Sequence, residues 1–210
     1  MPNKCSLENK TYNSETTRRS YTLFFLLFTL IFLSAYSLPL NATIRYVSKT
    51  GLSIPPYTTW ENAADSIQKC INICVFGDTI YVANGIYQEK VVMIDGLALI
   101  GAGTDSCIVD SRVFPPLSNR TITMPNNCLI KGFYILTSNN FDYGYGIYAI
   151  GQNGLITENK FSNANSGIVL WTSNIEVYNN FCFNVRAGVY ISNSNSIVRK
   201  NDIFTLTEQI

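Results

Sequence analysis

The stretch that decides the fold is GIYAIGQNGLITENKFSNANS (146–166), GIVLWTSNIEVYNNFCFNVRA (167–187) and GVYISNSNSIVRKN (188–201). Each piece opens on a glycine and an apolar run, and Gly146, Gly167 and Gly188 are 21 residues apart. Asn159, Asn180 and Asn201 keep that step, and Asn163 and Asn184 repeat it. A unit of 21 residues with several short strand-like runs and no helical pattern cannot bury its apolar face alone. Copies must stack, each pairing with the next through backbone hydrogen bonds about 4.8 Å away. Like residues then fall into columns, with aliphatics inward and asparagines at the bends. Asparagine tolerates left-handed backbone there and repeats its bonds from coil to coil. The pattern predicts an all-β chain, a parallel β-helix.

The register extends backwards through five aligned segments: CIVDS (107–111), CLIKG (128–132), LITEN (155–159), EVYNN (176–180) and IVRKN (197–201). Their second position, Ile108, Leu129, Ile156, Val177 and Val198, is expected to point inward. A second apolar column is Val113, Tyr134, Phe161, Cys182 and Ile203. One step is 27 rather than 21, and its six extra residues are placed as a loop between Ile135 and Gly146. This alignment stacks Cys107 on Cys128, within reach of a disulfide, although in-register side chains point the same way. The fourth column, Asp110, Lys131, Glu158, Asn179 and Lys200, starts with alternating charge and reads as an ion-pair ladder.

Before the repeats, Arg45–Ser48 reads as a short strand, and Thr58 with Glu61 as a capping box for a helix. Trp60, Ala63, Ala64, Ile67, Cys70, Ile71 and Cys74 give that helix a buried stripe at spacings of three and four. Cys70 and Cys74 are expected to pack there, since a bridge between residues one helical turn apart is awkward.

The N-terminus reads as a targeting segment. An uncharged run from Thr22 to Leu40 follows Arg18 and Arg19, and Ala35-Tyr36-Ser37 has the small-x-small form of a cleavage site. Residues 1–37 are thus a polar leader with a signal peptide, or else an uncleaved anchor spanning a membrane. Both place the remainder, a β-helix from 44 to 210, on the secreted or extracellular side. Oxidising conditions there bear on Cys70, Cys74, Cys107, Cys128 and Cys182. Asn41 and Asn119 head glycosylation sequons. Charged residues are only 14% of the chain and its net charge is +1, which argues against a nucleic-acid partner. Histidine is absent, so Ser/His and Cys/His catalysis and histidine-ligated metals are excluded.

The segments YVSKTG (46–51), WENAADSIQK (60–69), GDTIYVANGIYQE (77–89) and LIGAG (99–103) resemble the N-terminal coil of right-handed parallel β-helix proteins of the pectin-lyase-like superfamily. That resemblance implies the fold but spans lyases, hydrolases, esterases, epimerases and non-enzymes. Polygalacturonase-type members carry a Gly-His-Gly motif, which a chain without histidine lacks. Pectin methylesterases share the Gly85-x-Tyr87-x-Glu89 pattern, but their Gln-Asp and Asp-Phe-Ile-Phe-Gly segments are not found. The shared motif reads as structural: Gly85 turns, Tyr87 packs and Glu89 caps backbone donors near the helix. A pectate lyase needs a carboxylate cage for calcium and an Arg or Lys base; Arg186 and Arg199 match the base by type alone.

Strand alternation in GIYAI, GIVLW and GVYIS sends Tyr148, Trp171 and Tyr190 outward on adjacent coils. Stacked rings suit sugars, which are apolar in body and polar at the rim. The expectation is a secreted or surface β-helix that binds carbohydrate or serves in surface display, with no complete catalytic set and no cofactor or metal in view. The alternatives are a polysaccharide lyase-like enzyme whose site, with its calcium, lies beyond Ile210, and a purely structural adhesion repeat. The chain stops just after a repeat strand, so it is expected to be truncated.

Overall fold

The computed structural model describes residues 21–22, 24–29, 42–115, 120–137, 144–171, 174–192 and 195–205. The chain divides into Met1–Leu40 and Asn41–Ile210. In the first unit, residues 24–29 are helical, and no helix among the described residues is long and apolar enough to cross a membrane. The sequons at Asn41 and Asn119 and the Ala35–Ser37 cleavage signal lie outside the described residues.

The second unit is a stack of coils with three faces. Face A is a sheet of seven parallel strands: Ile44–Val47, Thr79–Val82, Ala98–Gly101, Leu129–Lys131, Leu155–Thr157, Glu176–Tyr178 and Ile197–Arg199. Face B stacks Gly85–Tyr87, Cys107–Asp110 and Tyr134–Leu136, then the start of Lys160–Trp171 and of Phe181–Ser192, and finally Asp202–Thr205. Face C stacks Val91–Val92, Arg120–Met124 and Tyr145–Ala149 on the later halves of the same two long strands. Those long strands turn the corner from B to C at Asn163 and Asn184, whose φ values are 57° and 52°.

Alternation along each strand fills the interior. Ile80, Leu99, Ile130, Ile156 and Val177 form one column at 0% exposure. Val198 continues it on the last coil at 37% exposure. Ile135, Phe161 and Cys182 form a second column on face B, and Ile122, Ile147 and Ile168 a third on face C, all fully buried. Three aliphatic walls facing one axis explain why the unit needs its neighbours.

Two adjacent positions at the face A corner divide the labour. Asn159, Asn180 and Asn201 have ordinary backbone; their side chains are the ladder. The Asn159 N–H donates to Asn180 Oδ1 (3.0 Å), and the Asn180 N–H to Asn201 Oδ1 (2.9 Å). Asn180 Nδ2 reaches back to the Ile156 carbonyl (3.0 Å) and to Tyr178 (3.1 Å). The residue before each ladder asparagine takes the left-handed conformation: Glu158, Asn179 and Lys200, at φ between 53° and 55°. Gly132 (φ 81°) occupies that place one coil earlier, where Phe133 replaces the ladder asparagine and donates its N–H to Asn159 Oδ1. The glycine column has a different cause: a Cβ on Gly146 would clash with the Gly167 carbonyl oxygen of the next coil.

Several expectations need correction. Coil length is not constant: the inward residues of face A, Ile80, Leu99, Ile130, Ile156, Val177 and Val198, are 19, 31, 26, 21 and 21 apart. Leu129 therefore pairs with Leu155 and faces outward, Ile130 takes the inward place, and the same slip turns Tyr134 outward in favour of Ile135. The extra residues before the last regular coils number five, because Ile135 to Ile147 spans 12 where Phe161 to Ile168 spans 7.

Cys107–Asp110 belongs to face B, not to the Ile156 column. Cys107 and Cys128 are consequently not stacked, and both are buried free thiols. Cys107 Sγ lies 3.8 Å from the Val82 carbonyl, while Cys128 Sγ lies 3.1 Å from that of Ile94. Burial pushes each thiol up to about 11. Val113 is 56% exposed rather than inward.

The charge ladder is partial. Lys131 Nζ meets Glu158 at 3.0 Å, but Asp110, on the other sheet, pairs with Arg112 at 2.8 Å. A further pair, Arg199 with Glu176, joins the last two coils of face A.

The helix is shorter than its stripe. It covers Ile67–Ile71 (α1), with Ser66 as N-cap, so Thr58 and Glu61 are not its capping box. Leu52, Ser53 and Ile54 pair their N–H groups with the carbonyls of Glu61, Ala63 and Asn62, which ties that segment to the preceding loop in turns rather than a helix. Trp60 is accordingly 50% exposed, while Ala63, Ala64, Ile67, Cys70 and Ile71 are buried as expected. Glu89 supplies the cap from a later coil: its carboxylate accepts from Ser66 Oγ (2.8 Å) and from the N–H groups of Ile67 (2.9 Å) and Gln68 (2.8 Å). Tyr87 is fully buried and donates to the Ala83 carbonyl at 2.9 Å. The Gly85-x-Tyr87-x-Glu89 motif thus joins the cap to the first coils.

Candidate functional site

Face C carries the outward aromatics. Its register places Tyr148, Val169 and Tyr190 in one column across three coils. Arg120, Tyr145 and Ser166 form the column beside it. Trp171 stands two residues beyond Val169 on the same strand, so it shares the outward side. Ile147, Ala149, Ile168 and Leu170 alternate with these positions and are fully buried, which fixes the outward direction.

The side chains enclose a cleft of about 330 Å³, lined by Arg120, Tyr145, Tyr148, Asn165, Ser166, Val169, Trp171 and Tyr190. Val169 is 3% exposed and forms the apolar floor. Trp171 and Tyr190, at 46% and 51% exposure, form the rim. The Arg120 guanidinium lies 3.6 Å from the centre of the Tyr148 ring, and the Tyr145 and Tyr148 rings are 5.9 Å apart. A cation over a ring stabilises both orientations and leaves planar N–H donors at the edge of the cleft. Asn165 and Ser166 add neutral polar groups, and among the described residues no carboxylate lines the cleft.

All three residues singled out from sequence, Tyr148, Trp171 and Tyr190, meet in this one cleft. Sequence reasoning missed Arg120, Tyr145, Asn165 and Ser166. The strand RTITM (120–124) departs from the glycine-led pattern of the later coils, so its register with 145–149 was hidden. Arg186 and Arg199 are not among the lining residues, and Arg199 is held by Glu176. Among the described residues no group of three or more His, Cys, Asp or Glu side chains is placed to hold a metal ion.

A family model described as "Right handed beta helix region" matches residues 120–209. The chain is a right-handed parallel β-helix. Two solved structures share its fold. Pectin methylesterase PemA from Erwinia chrysanthemi superposes with a TM-score of 0.53 at 12% identity, over 81% of this chain and 58% of that one. The pectin methylesterase from carrot gives 0.52 at 10% identity, over 81% of this chain and 65% of that one. The β-helix thus spans less than two thirds of either structure. No curated protein matches it in sequence.

Proposed function

We propose that the face C cleft binds a carbohydrate chain on the outside of a secreted or surface-displayed β-helix. The observation that carries this reading is the half-exposed pair Trp171 and Tyr190 set around an apolar floor. Large rings left in water on a rigid sheet offer flat apolar surface that costs little ordering on binding, and the Arg120, Asn165 and Ser166 groups can bond sugar hydroxyls. Two solved structures of similar fold are pectin methylesterases, which makes a polysaccharide the natural ligand class to test. Binding rather than catalysis is favoured because Asp110, Glu158 and Glu176 are each committed to an ion pair away from the cleft.

Three stacking rings at about 1 kcal/mol each, with a few hydroxyl bonds, give roughly millimolar affinity. The test is a titration of soluble neutral and acidic polysaccharides followed by tryptophan fluorescence. Trp60 and Trp171 are the two tryptophans, so Trp60→Phe isolates the Trp171 signal. Saturable quenching or enhancement in Trp60→Phe, weakened about fivefold by Tyr190→Ala, supports the cleft. A spectrum unaltered by both polymer classes overturns it and leaves the structural-repeat reading in front.

A further inference from the structure

The end of α1 holds a feature that neither the coil stack nor the cleft uses. Cys70 is the penultimate helical residue and is fully buried; Cys74 lies three residues past the helix and is half-buried. The geometric objection to bridging them applied to a continuous helix, and the helix stops before Cys74. Tight turns follow instead: the Ile73 N–H donates to the Cys70 carbonyl (3.2 Å) and the Cys74 N–H to that of Ile71 (2.9 Å). This fold-back brings Cys74 Sγ within 3.2 Å of the Cys70 carbonyl oxygen.

The surroundings make the two sulfurs unequal. The neighbouring Cys70 side chain lowers the pKa of Cys74, and Arg45 adds to this against the opposing effects of burial and of the Asp78 carboxylate. The Cys74 side chain, with burial, pushes Cys70 up. Arg45 is itself fixed by Asp78 at 3.1 Å and by the Pro56 carbonyl at 2.7 Å, and the Asp78 carboxylate offsets part of its pull on Cys74. Cys107, Cys128 and Cys182 are buried, and their thiols are all pushed up by burial.

We propose that Cys70 and Cys74 are a dithiol that a small external disulfide, such as oxidised glutathione, converts to an intrachain bond at the cap of the β-helix. The Cys74 thiolate attacks one sulfur of the external disulfide; a mixed disulfide forms and the first external thiolate leaves. Cys70 then gives up its proton, its sulfur attacks Cys74 Sγ, the mixed bond breaks and the second external thiolate leaves. Two protein thiols are oxidised, one external disulfide is reduced to two thiols, and the protein loses two hydrogens. The bond ties the last turn of α1 to the segment leading into Thr79–Val82, where Ile67, Cys70 and Ile71 seal the first coil.

Trypsin isolates the pair, because residues 70–90 lie between Lys69 and Lys90 and contain no other cysteine. The full chain is incubated with oxidised glutathione, alkylated in denaturant without reduction, digested and weighed. The expected result is a 70–90 peptide about 2 Da lighter than its dithiol form and free of alkyl groups, with Cys107, Cys128 and Cys182 alkylated. Cys70→Ser should instead hold a glutathionyl adduct on Cys74, and Cys74→Ser should hold none. Two alkyl groups on the 70–90 peptide after oxidation, a link from either cysteine to a third one, or an adduct in Cys74→Ser overturns the proposal.

Discussion

Adjacent asparagines at positions 179 and 180 should differ sharply in their sensitivity to substitution. Asn180 is 2% exposed, and its side chain makes five hydrogen bonds: Oδ1 accepts from Asn159 N and Nδ2, and Nδ2 donates to Ile156 O, Tyr178 O and Asn201 Oδ1. Asn180→Ala leaves the buried Asn159 N–H without its acceptor, at about 1–3 kcal/mol. It also removes two bonds to backbone carbonyls, at about 1 kcal/mol net each. The expected total is about 3–5 kcal/mol, a large fraction of the stability of an ordinary domain.

Asn179, by contrast, is exposed and matters through its backbone, at φ 55°. Asn179→Gly relieves left-handed strain and loosens the unfolded chain by similar amounts, so the change should stay within about 0.5 kcal/mol. Urea unfolding followed by circular dichroism, with the slope checked for constancy, measures both variants. The ladder assignment is refuted if Asn180→Ala falls within about 1 kcal/mol of the parent, or if Asn179→Gly is as damaging.

Val177 is fully buried in the face A column, so Val177→Asp should abolish cooperative unfolding, since an unpaired buried carboxylate costs several kcal/mol; a normal melting transition would contradict the column. Glu89→Ala should destabilise by about 2 kcal/mol through the lost cap on Ser66, Ile67 and Gln68, and amide exchange should rise first at Ile67 and Gln68; protection equal to the parent would count against that cap. Asp78 and Asp110 should shape the acid limb. Burial opposes ionisation of Asp78, but bonds from the Thr43 and Val75 N–H groups and from Arg45 more than offset it, and Arg112 holds Asp110 low. A depressed folded pKa stabilises above the unfolded value of about 3.9, and that stability is lost as pH falls through the folded value. Unfolding midpoints measured from pH 7 down to 2 should therefore drop below about pH 4, and Asp78→Asn should start lower at neutral pH and drop less; parallel curves would refute this.

Where the coil length is constant, the sequence determined the fold, because residues at one coil position meet the same environment and so repeat. The 21-residue glycine and asparagine steps therefore exposed the parallel stack, the Ile156–Val177–Val198 column and the outward side of Tyr148, Trp171 and Tyr190. The structural role of Gly85, Tyr87 and Glu89 was also legible, because turn, packing and capping chemistry are local to residue type. What only the tertiary structure decided is pairing across coils of unequal length. Segment 107–111 satisfies face A and face B equally well as a pattern, since both need one inward aliphatic in every two residues. Only the hydrogen-bonded register with Gly85–Tyr87 and Tyr134–Leu136 sends it to face B and separates Cys107 from Cys128. The same limit hid Arg120 and Tyr145 from the cleft, and it extended α1 too far. A spacing of three and four marks residues that share one buried side, and the turns at 59–65 reach that side without being helical.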